Sequence, residues 1–196
     1  MKTITIALTV AAMVTIPAQA AWQLDGENST ISFVSTKAIN AAEVHRFGEL
    51  TGSMDDAGQV SVSISLESVD TAIELRDERM RELLFETGQY SAATVSAKVD
   101  TSALPMEPGQ SVRMTVEGEV SLHGIDRVMP MNVIVVRSGD HGLVVSSTQP
   151  VIVNASQFRL VEGIQKLTEV AGLPNISTAV PVSFVLTFVE EQAPEG

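Results

Sequence analysis

A two-residue alternation of apolar and polar side chains constrains the fold of this chain more than any other feature. In residues 60–66 every even position is apolar and every odd position is Ser. Similar alternation recurs in residues 31–33, 112–117 and 182–188. Such a pattern places one face of a strand against an apolar interior and the other face in water. It therefore predicts antiparallel strands that are buried on one face only.

Clusters of turn residues separate these strands, at positions 55–58, 105–109 and 138–142. The last cluster lies between two apolar runs and predicts a β-hairpin. Residues 71–86 instead carry apolar side chains at helical spacing, which predicts a helix with Asp70 or Thr71 as its N-terminal cap. A second, weaker helix or a loop is predicted for residues 160–172.

The pattern as a whole predicts an all-β fold of about eight strands with one or two short helices. An antiparallel sheet of this size must protect its edges, and closure into a barrel removes them. About eight strands enclose an interior that side chains just fill, or that holds one small ligand. A sandwich of two sheets is the alternative architecture.

The first twenty residues are predicted to be a secretory signal peptide. Lys2 precedes an uncharged apolar run at residues 4–16, Pro17 interrupts that run, and residues 18–20 fit the small-x-small rule for cleavage. The run is short for a bilayer span, and no stop-transfer pattern follows it. We therefore expect cleavage after Ala20, which leaves one exported domain at residues 21–196 without an integral membrane segment. An N-terminal buried helix is the alternative.

Composition and motifs exclude several functions. The chain has no cysteine, which excludes disulfides, thiolate metal sites and a cysteine nucleophile. Its net charge of −12 argues against nucleic acid as a partner. Standard hydrolase, nucleotide-binding and zinc-protease motifs are absent from the sequence. Glu43 with His45, and His123 with Asp126, fall short of the three or four ligands that zinc needs. We expect no catalytic residue, no metal site and no cofactor.

Several stretches along the chain carry a resemblance to one known family. They are Trp22-x-Leu24-Asp25, Phe47-Gly48-Glu49-Leu50-x-Gly52, Arg76-Asp77-Glu78-Arg79-Met80-Arg81, residues 118–125 and residues 153–158. Their order and spacing resemble the YceI-like family over nearly the whole chain after residue 20. The sequence departs from the family pattern at Arg79, where the family usually has His, and at Ser91, where it usually has Pro.

This resemblance implies a lipocalin-like, extended antiparallel β-barrel and a periplasmic location. It also implies an elongated pocket for a long apolar amphiphile, such as a polyisoprenoid, an isoprenoid quinone or a fatty-acid derivative. Transfer of such a chain from water into an apolar cavity gains about 0.8 kcal/mol for each CH₂ group. The residues expected to contact this ligand are Phe33, Phe47, Met80, Leu84, Phe85, Met114, Met131, Phe158 and Phe184, with Arg76 at a polar head group.

Two other classes of function stay open at this point. One is an interaction module with a fully packed interior that serves an envelope-stress partner. The other is a lipid-modifying enzyme, which would need polar groups that converge inside the barrel. The sequence also leaves open whether the chain forms a homodimer and whether the protein transports, stores or senses its ligand.

Overall fold

The computed structural model of the protein describes residues 20–191. The signal peptide expected at residues 1–20 lies outside this range, except for Ala20, whose backbone begins the first strand. No helix within residues 20–191 has both the length and the apolar character that a membrane span requires.

Eleven strands form one antiparallel sheet. In chain order they are β1 (Ala20–Lys37), β2 (Ala41–Phe47), β3 (Leu50–Asp55), β4 (Gln59–Ser65), β5 (Val69–Asp70), β6 (Ala92–Lys98), β7 (Ser111–Leu122), β8 (Ile125–Ser138), β9 (Gly142–Ser147), β10 (Val151–Asn154) and β11 (Ala179–Glu190).

The sheet closes into a barrel because β1 pairs with β11. Eight strands complete the circuit, in the order β1, β3, β4, β6, β7, β8, β9 and β11. Two strands lengthen the barrel wall beyond this circuit. Strand β2 pairs with the second half of β1, beyond the end of β3. Strand β10 pairs with the first half of β11, beyond the end of β9. The predicted barrel of about eight strands is confirmed, and the two-sheet sandwich is excluded.

Strand β1 pairs with three strands: with β11 on one edge, and on the other edge with β3 before an irregularity and with β2 after it. The register between β1 and β11 shifts between Asp25 and Thr30, and the side chain of Asp25 accepts a hydrogen bond from the Asn28 backbone N–H at 3.2 Å. A Cβ atom on Gly26 would lie 2.6 Å from the carbonyl oxygen of Leu50. Glycine is therefore required where the bulged backbone crosses the start of β3.

Helical segments cover one end of the barrel. Helix α1 (Glu74–Arg79) continues directly as a π-helical segment (Met80–Phe85), and α2 (Val161–Val170) packs against that segment. The second predicted helix is thus confirmed as a helix. Gly163 of α2 makes the close approach possible, because a Cβ there would lie 2.6 Å from the Leu83 carbonyl oxygen.

The first helix begins later than the sequence predicted. Ala72 adopts a left-handed backbone conformation, with φ of 60°, which prevents a helix from passing through this position. Asp70 does not cap the helix, since its carboxylate accepts hydrogen bonds from the Ala72 N–H and from Arg46. Thr71 does not cap it either, because its backbone N–H and its hydroxyl both bind Asp77. Helix α1 therefore starts at Glu74 without a side-chain cap.

Candidate functional site

A cavity of about 280 Å³ occupies the interior of the barrel, and we call it the main cavity. It extends from Leu104, in the loop after β6, to Leu84 and Ile164 beneath the helices. Every side chain on its wall is apolar. This follows from the alternation in the strands, since the inward positions of β4, β7 and β11 are the apolar ones. The main cavity can hold an elongated apolar molecule, and its walls offer such a molecule no hydrogen-bonding side chain.

Most of the residues predicted to contact a ligand lie on the wall of this cavity. They are Phe33, Phe47, Leu84, Phe85, Met114, Met131 and Phe184. Two others, Arg76 and Met80, lie on the wall of a second cavity that is described below.

Phe158 is the exception, because the structure places it on neither cavity wall. Its side chain is fully buried in a separate apolar cluster with Ala155, Leu160 and Ile164. Phe158 ends the short 3₁₀-helix Ala155–Phe158 that follows β10, and it packs in this cluster and not on the cavity wall. Its position assigns it to the support of helix α2.

A row of aromatic rings lies on the barrel wall near the helical end. The ring centroids of Phe85 and Phe47 are 5.8 Å apart, and those of Phe47 and Phe33 are 5.3 Å apart. The ring of His45 continues the row, at 5.3 Å from Phe33 and in an edge-on orientation. These separations are typical of favourable aromatic pairs. The row ends at His45, its one polar member.

A second cavity of about 170 Å³ lies at this polar end, and we call it the basic cavity. Most of its wall is apolar, and its polar members are Lys37, Arg76, Arg79, Ser35, Ser177 and His45. No residue on its described wall is acidic. The two cavities adjoin along a shared wall, which consists of Phe33, Leu84, Ile164 and Val180.

Arg76 and Lys37 are held in place by ion pairs with Glu43. The Glu43 Oε2 atom accepts hydrogen bonds from Lys37 Nζ at 2.6 Å and from Arg76 Nη1 at 2.5 Å. Arg76 also donates from Nε to the Thr71 hydroxyl at 2.7 Å and from Nη2 to the Thr71 carbonyl oxygen at 2.5 Å. The hydrogen bond from Lys37 lowers the pKa of Glu43, and the positive charge of Arg76 adds to this effect. Glu43 is therefore a carboxylate at neutral pH.

Arg79 differs from these two cations. Its guanidinium forms no ion pair and no side-chain hydrogen bond with any residue in the range 20–191. It lies one helical turn after Arg76 and is half-buried on the wall of the basic cavity. No described side chain therefore pairs with its charge.

His45 is buried at the junction of the polar and apolar regions. Only 4% of its surface is exposed, and its Nε2 atom lies 2.9 Å from the Ser35 hydroxyl. Its Nδ1 atom has no hydrogen-bond partner among the described residues. Burial lowers the pKa of His45, and the nearby Arg76 charge lowers it further. The ring is therefore neutral at neutral pH, with one polar atom unsatisfied.

Sequence reasoning found part of this polar cluster. Glu43 and His45 stood out in the sequence as a pair, and both lie on the inward side of β2. Lys37, Ser35 and Arg79 were not predicted to line the site. For Ser35 and Lys37 a signal was available, because they continue the inward positions Ile31 and Phe33 along β1.

Several solved structures are similar to this chain. A polyisoprenoid binding domain from Saccharophagus degradans, implicated in plant cell wall breakdown, is 37% identical to this chain with a TM-score of 0.86; the match covers 88% of this chain and all of that one. BcnA from Burkholderia cenocepacia matches at 18% identity and a TM-score of 0.65, over 84% of this chain and 98% of that one. The YCEI protein of Campylobacter jejuni matches at 13% identity and a TM-score of 0.54, over 98% and 100% of the two chains.

The last two matches show a shared fold, while the first adds substantial sequence identity over nearly the whole chain. Among curated protein sequences, none matches this chain. A family model described as a YceI-like domain matches residues 22–188, which include both cavities and all of the closed barrel except the outer ends of β1 and β11. The resemblance noted in the sequence is thereby confirmed, and the chain belongs to the YceI-like family.

Proposed function

We propose that this protein binds a long apolar amphiphile, with the apolar chain in the main cavity and the polar end toward the basic cavity. The observation that carries the proposal is the continuous apolar wall around about 280 Å³ of interior space. A polyisoprenoid, an isoprenoid quinone or a fatty-acid derivative supplies the matching chain. The 37% identity to a polyisoprenoid binding domain supports the first of these classes.

Binding, and not catalysis, is the role that this cavity supports. General acid-base or nucleophilic catalysis requires titratable or nucleophilic side chains next to the reacting atoms. The described wall of the main cavity offers only aliphatic, aromatic and thioether groups. A carrier needs only that these groups exclude water from the bound chain.

The test is native mass spectrometry of the full chain after expression with its N-terminal segment and purification without detergent. We expect adducts whose masses, after extraction into organic solvent, identify a long-chain lipid. Stripped protein should then take up geranylgeraniol or a menaquinone from cyclodextrin. Absence of both the adduct and the uptake would refute the proposal and favour the interaction module.

The periplasmic location is a further part of this proposal. The N-terminal pattern of residues 1–20 supports it, as does the family to which the chain belongs. Fractionation of an expressing bacterium, followed by N-terminal sequencing, provides the test. We expect the periplasmic protein to begin at Ala21, and a product that retains Met1 in the cytoplasm would contradict the assignment.

A further inference from the structure

The loop between β6 and β7 forms part of the main cavity's wall at the end of the barrel opposite the helices. Strand β6 pairs with residues 118–121 of β7, so residues 111–117 of β7 have no strand partner on that side among the described residues. The loop, residues 99–110, connects the two strands at this gap. Its residues Val99 and Leu104 lie on the cavity wall, and Leu104 packs against the barrel core. Leu104 therefore bounds the cavity where no strand does.

Hydrogen bonds fix this loop at both of its ends. The Val99 N–H donates to the Gly58 carbonyl oxygen at 2.9 Å, in the turn between β3 and β4. The Gly109 N–H donates to the Arg137 carbonyl oxygen, also at 2.9 Å. The guanidinium of Arg137 in turn lies over the Trp22 ring, 5.0 Å from its centroid. Because both ends of the loop are tied to the barrel, this boundary of the cavity has a defined position.

The neighbouring proline restricts the backbone of Leu104. A residue before proline is confined to extended conformations, and Leu104 has φ of −72° and ψ of 149°. Pro105 itself is buried, whereas the side chain that follows, Met106, is 80% exposed. Leu104 is therefore held against the cavity while Met106 points to water.

From this arrangement we infer that Leu104 limits the length of the apolar chain that the main cavity accepts. The inference rests on the proposed function, which directs the polar end of the ligand toward the helices, so that the far end of its chain meets Leu104. A methylene group gains free energy only when it leaves water. Carbon atoms beyond the length that Leu104 permits therefore add nothing to the affinity.

The strands give the scale of this limit. The inward residues of β11 that line the main cavity run from Val180 to Phe188. At about 3.4 Å per residue and a strand tilt of about 40°, they span roughly 20 Å along the barrel axis. Extended geranylgeraniol has a comparable length. The ligand class is therefore an isoprenoid of this size, and a much longer polyprenyl chain would not fit in extended form.

The experiment compares farnesol, geranylgeraniol and geranylfarnesol, which differ in steps of one isoprene unit. Their affinities for the stripped full-length protein are measured by competition with cyclodextrin. The affinity of the unaltered protein should rise from farnesol to geranylgeraniol and then level off. Leu104→Ala should bind geranylfarnesol roughly tenfold more tightly than the unaltered protein does, the factor expected for about two newly buried methylene groups. Farnesol should bind both proteins equally, because its chain ends short of this boundary.

Two further variants make the comparison decisive. Leu104→Phe moves the boundary into the cavity, so it should weaken geranylgeraniol roughly tenfold and leave farnesol unchanged. Met106→Ala truncates an exposed side chain of the same loop and should leave all of the affinities unchanged. Urea unfolding of each stripped variant separates a loss of stability from a change in the preferred chain length.

The possible failures are distinguishable. If the unaltered protein binds none of the alcohols, the proposed function itself is wrong. If it binds them, and the Leu104 variants change every affinity by the same factor or change none, the barrel binds the chain and the inference about Leu104 is overturned. An equal gain for geranylfarnesol in Met106→Ala would attribute the effect to a loosened loop, which also overturns it.

Discussion

Replacement of Ala97 by leucine should block the main cavity. Ala97 lies on the cavity wall in β6, and its register partners on the neighbouring strands are Val60 and Gly118. Leucine adds three carbon atoms to this wall and displaces about three methylene groups of a bound chain, each worth about 0.8 kcal/mol. We therefore expect the affinity for geranylgeraniol to fall by about 2.4 kcal/mol, or roughly 50-fold.

The same substitution should have the opposite effect on the protein without ligand. Filling an apolar void typically raises the free energy of unfolding by about 0.5–2 kcal/mol. Urea unfolding of the stripped protein, measured beside the binding assay, tests both effects. Ala42→Leu makes the same chemical change at an exposed position in β2 and should alter neither quantity. If Ala97→Leu instead destabilises the stripped protein by about 1–3 kcal/mol, the interior is already packed, and the cavity argument fails.

Three further predictions concern the elements that support the site. Phe158→Ala should lower the free energy of unfolding by about 3–5 kcal/mol in a urea titration, whereas the exposed Ile152→Ala should change it by less than about 0.5 kcal/mol. Gly163→Ala should lower the free energy of unfolding by about 1–3 kcal/mol, because the added Cβ atom would collide with the backbone of Leu83. Alanine favours helices, so a more stable variant would show that the two helical segments can move apart without cost. Burial lowers the pKa of His45, so on acidification the unfolded chain binds a proton at this residue before the folded protein does, and the free energy of unfolding should fall as the pH drops below about 6.5. His45→Gln should reduce this pH dependence. If the free energy of unfolding falls equally steeply with pH in both proteins, the assignment to His45 is wrong.

The closed barrel and its inward faces were predictable because they depend on local patterns. The alternation in residues 60–66 and 112–117 matches strands β4 and β7, and the apolar positions of both, except Val112, face the main cavity. The turn at residues 138–142 joins β8 to β9 as a hairpin. Such features follow from the period of the side chains and from turn-forming residues, both of which are visible in a single sequence.

Other features depend on partners that are distant in the chain. The helix was predicted to begin near Thr71, but Asp70 and Thr71 are bound to Arg46 and Asp77 in the folded protein. These contacts keep the chain out of a helical conformation up to Ile73, and helix propensity alone does not predict them. The basic cavity likewise unites β1, β2 and both helices, so its cluster of cations becomes visible only after the barrel has closed.

The size of the main cavity bears on why the sequence retains it. In well-studied core variants an apolar void costs about 24 cal/mol per Å³, so about 280 Å³ would correspond to on the order of 7 kcal/mol. That is comparable with the whole free energy of unfolding of a typical domain, about 5–15 kcal/mol. Larger side chains at Ala93 and Ala97 would fill part of this space, and both positions face it. A barrel whose only task was to present its outer surface would gain stability from such a change. Small residues on the inner wall therefore favour a function that needs the space, and a bound apolar chain would restore the missing contacts.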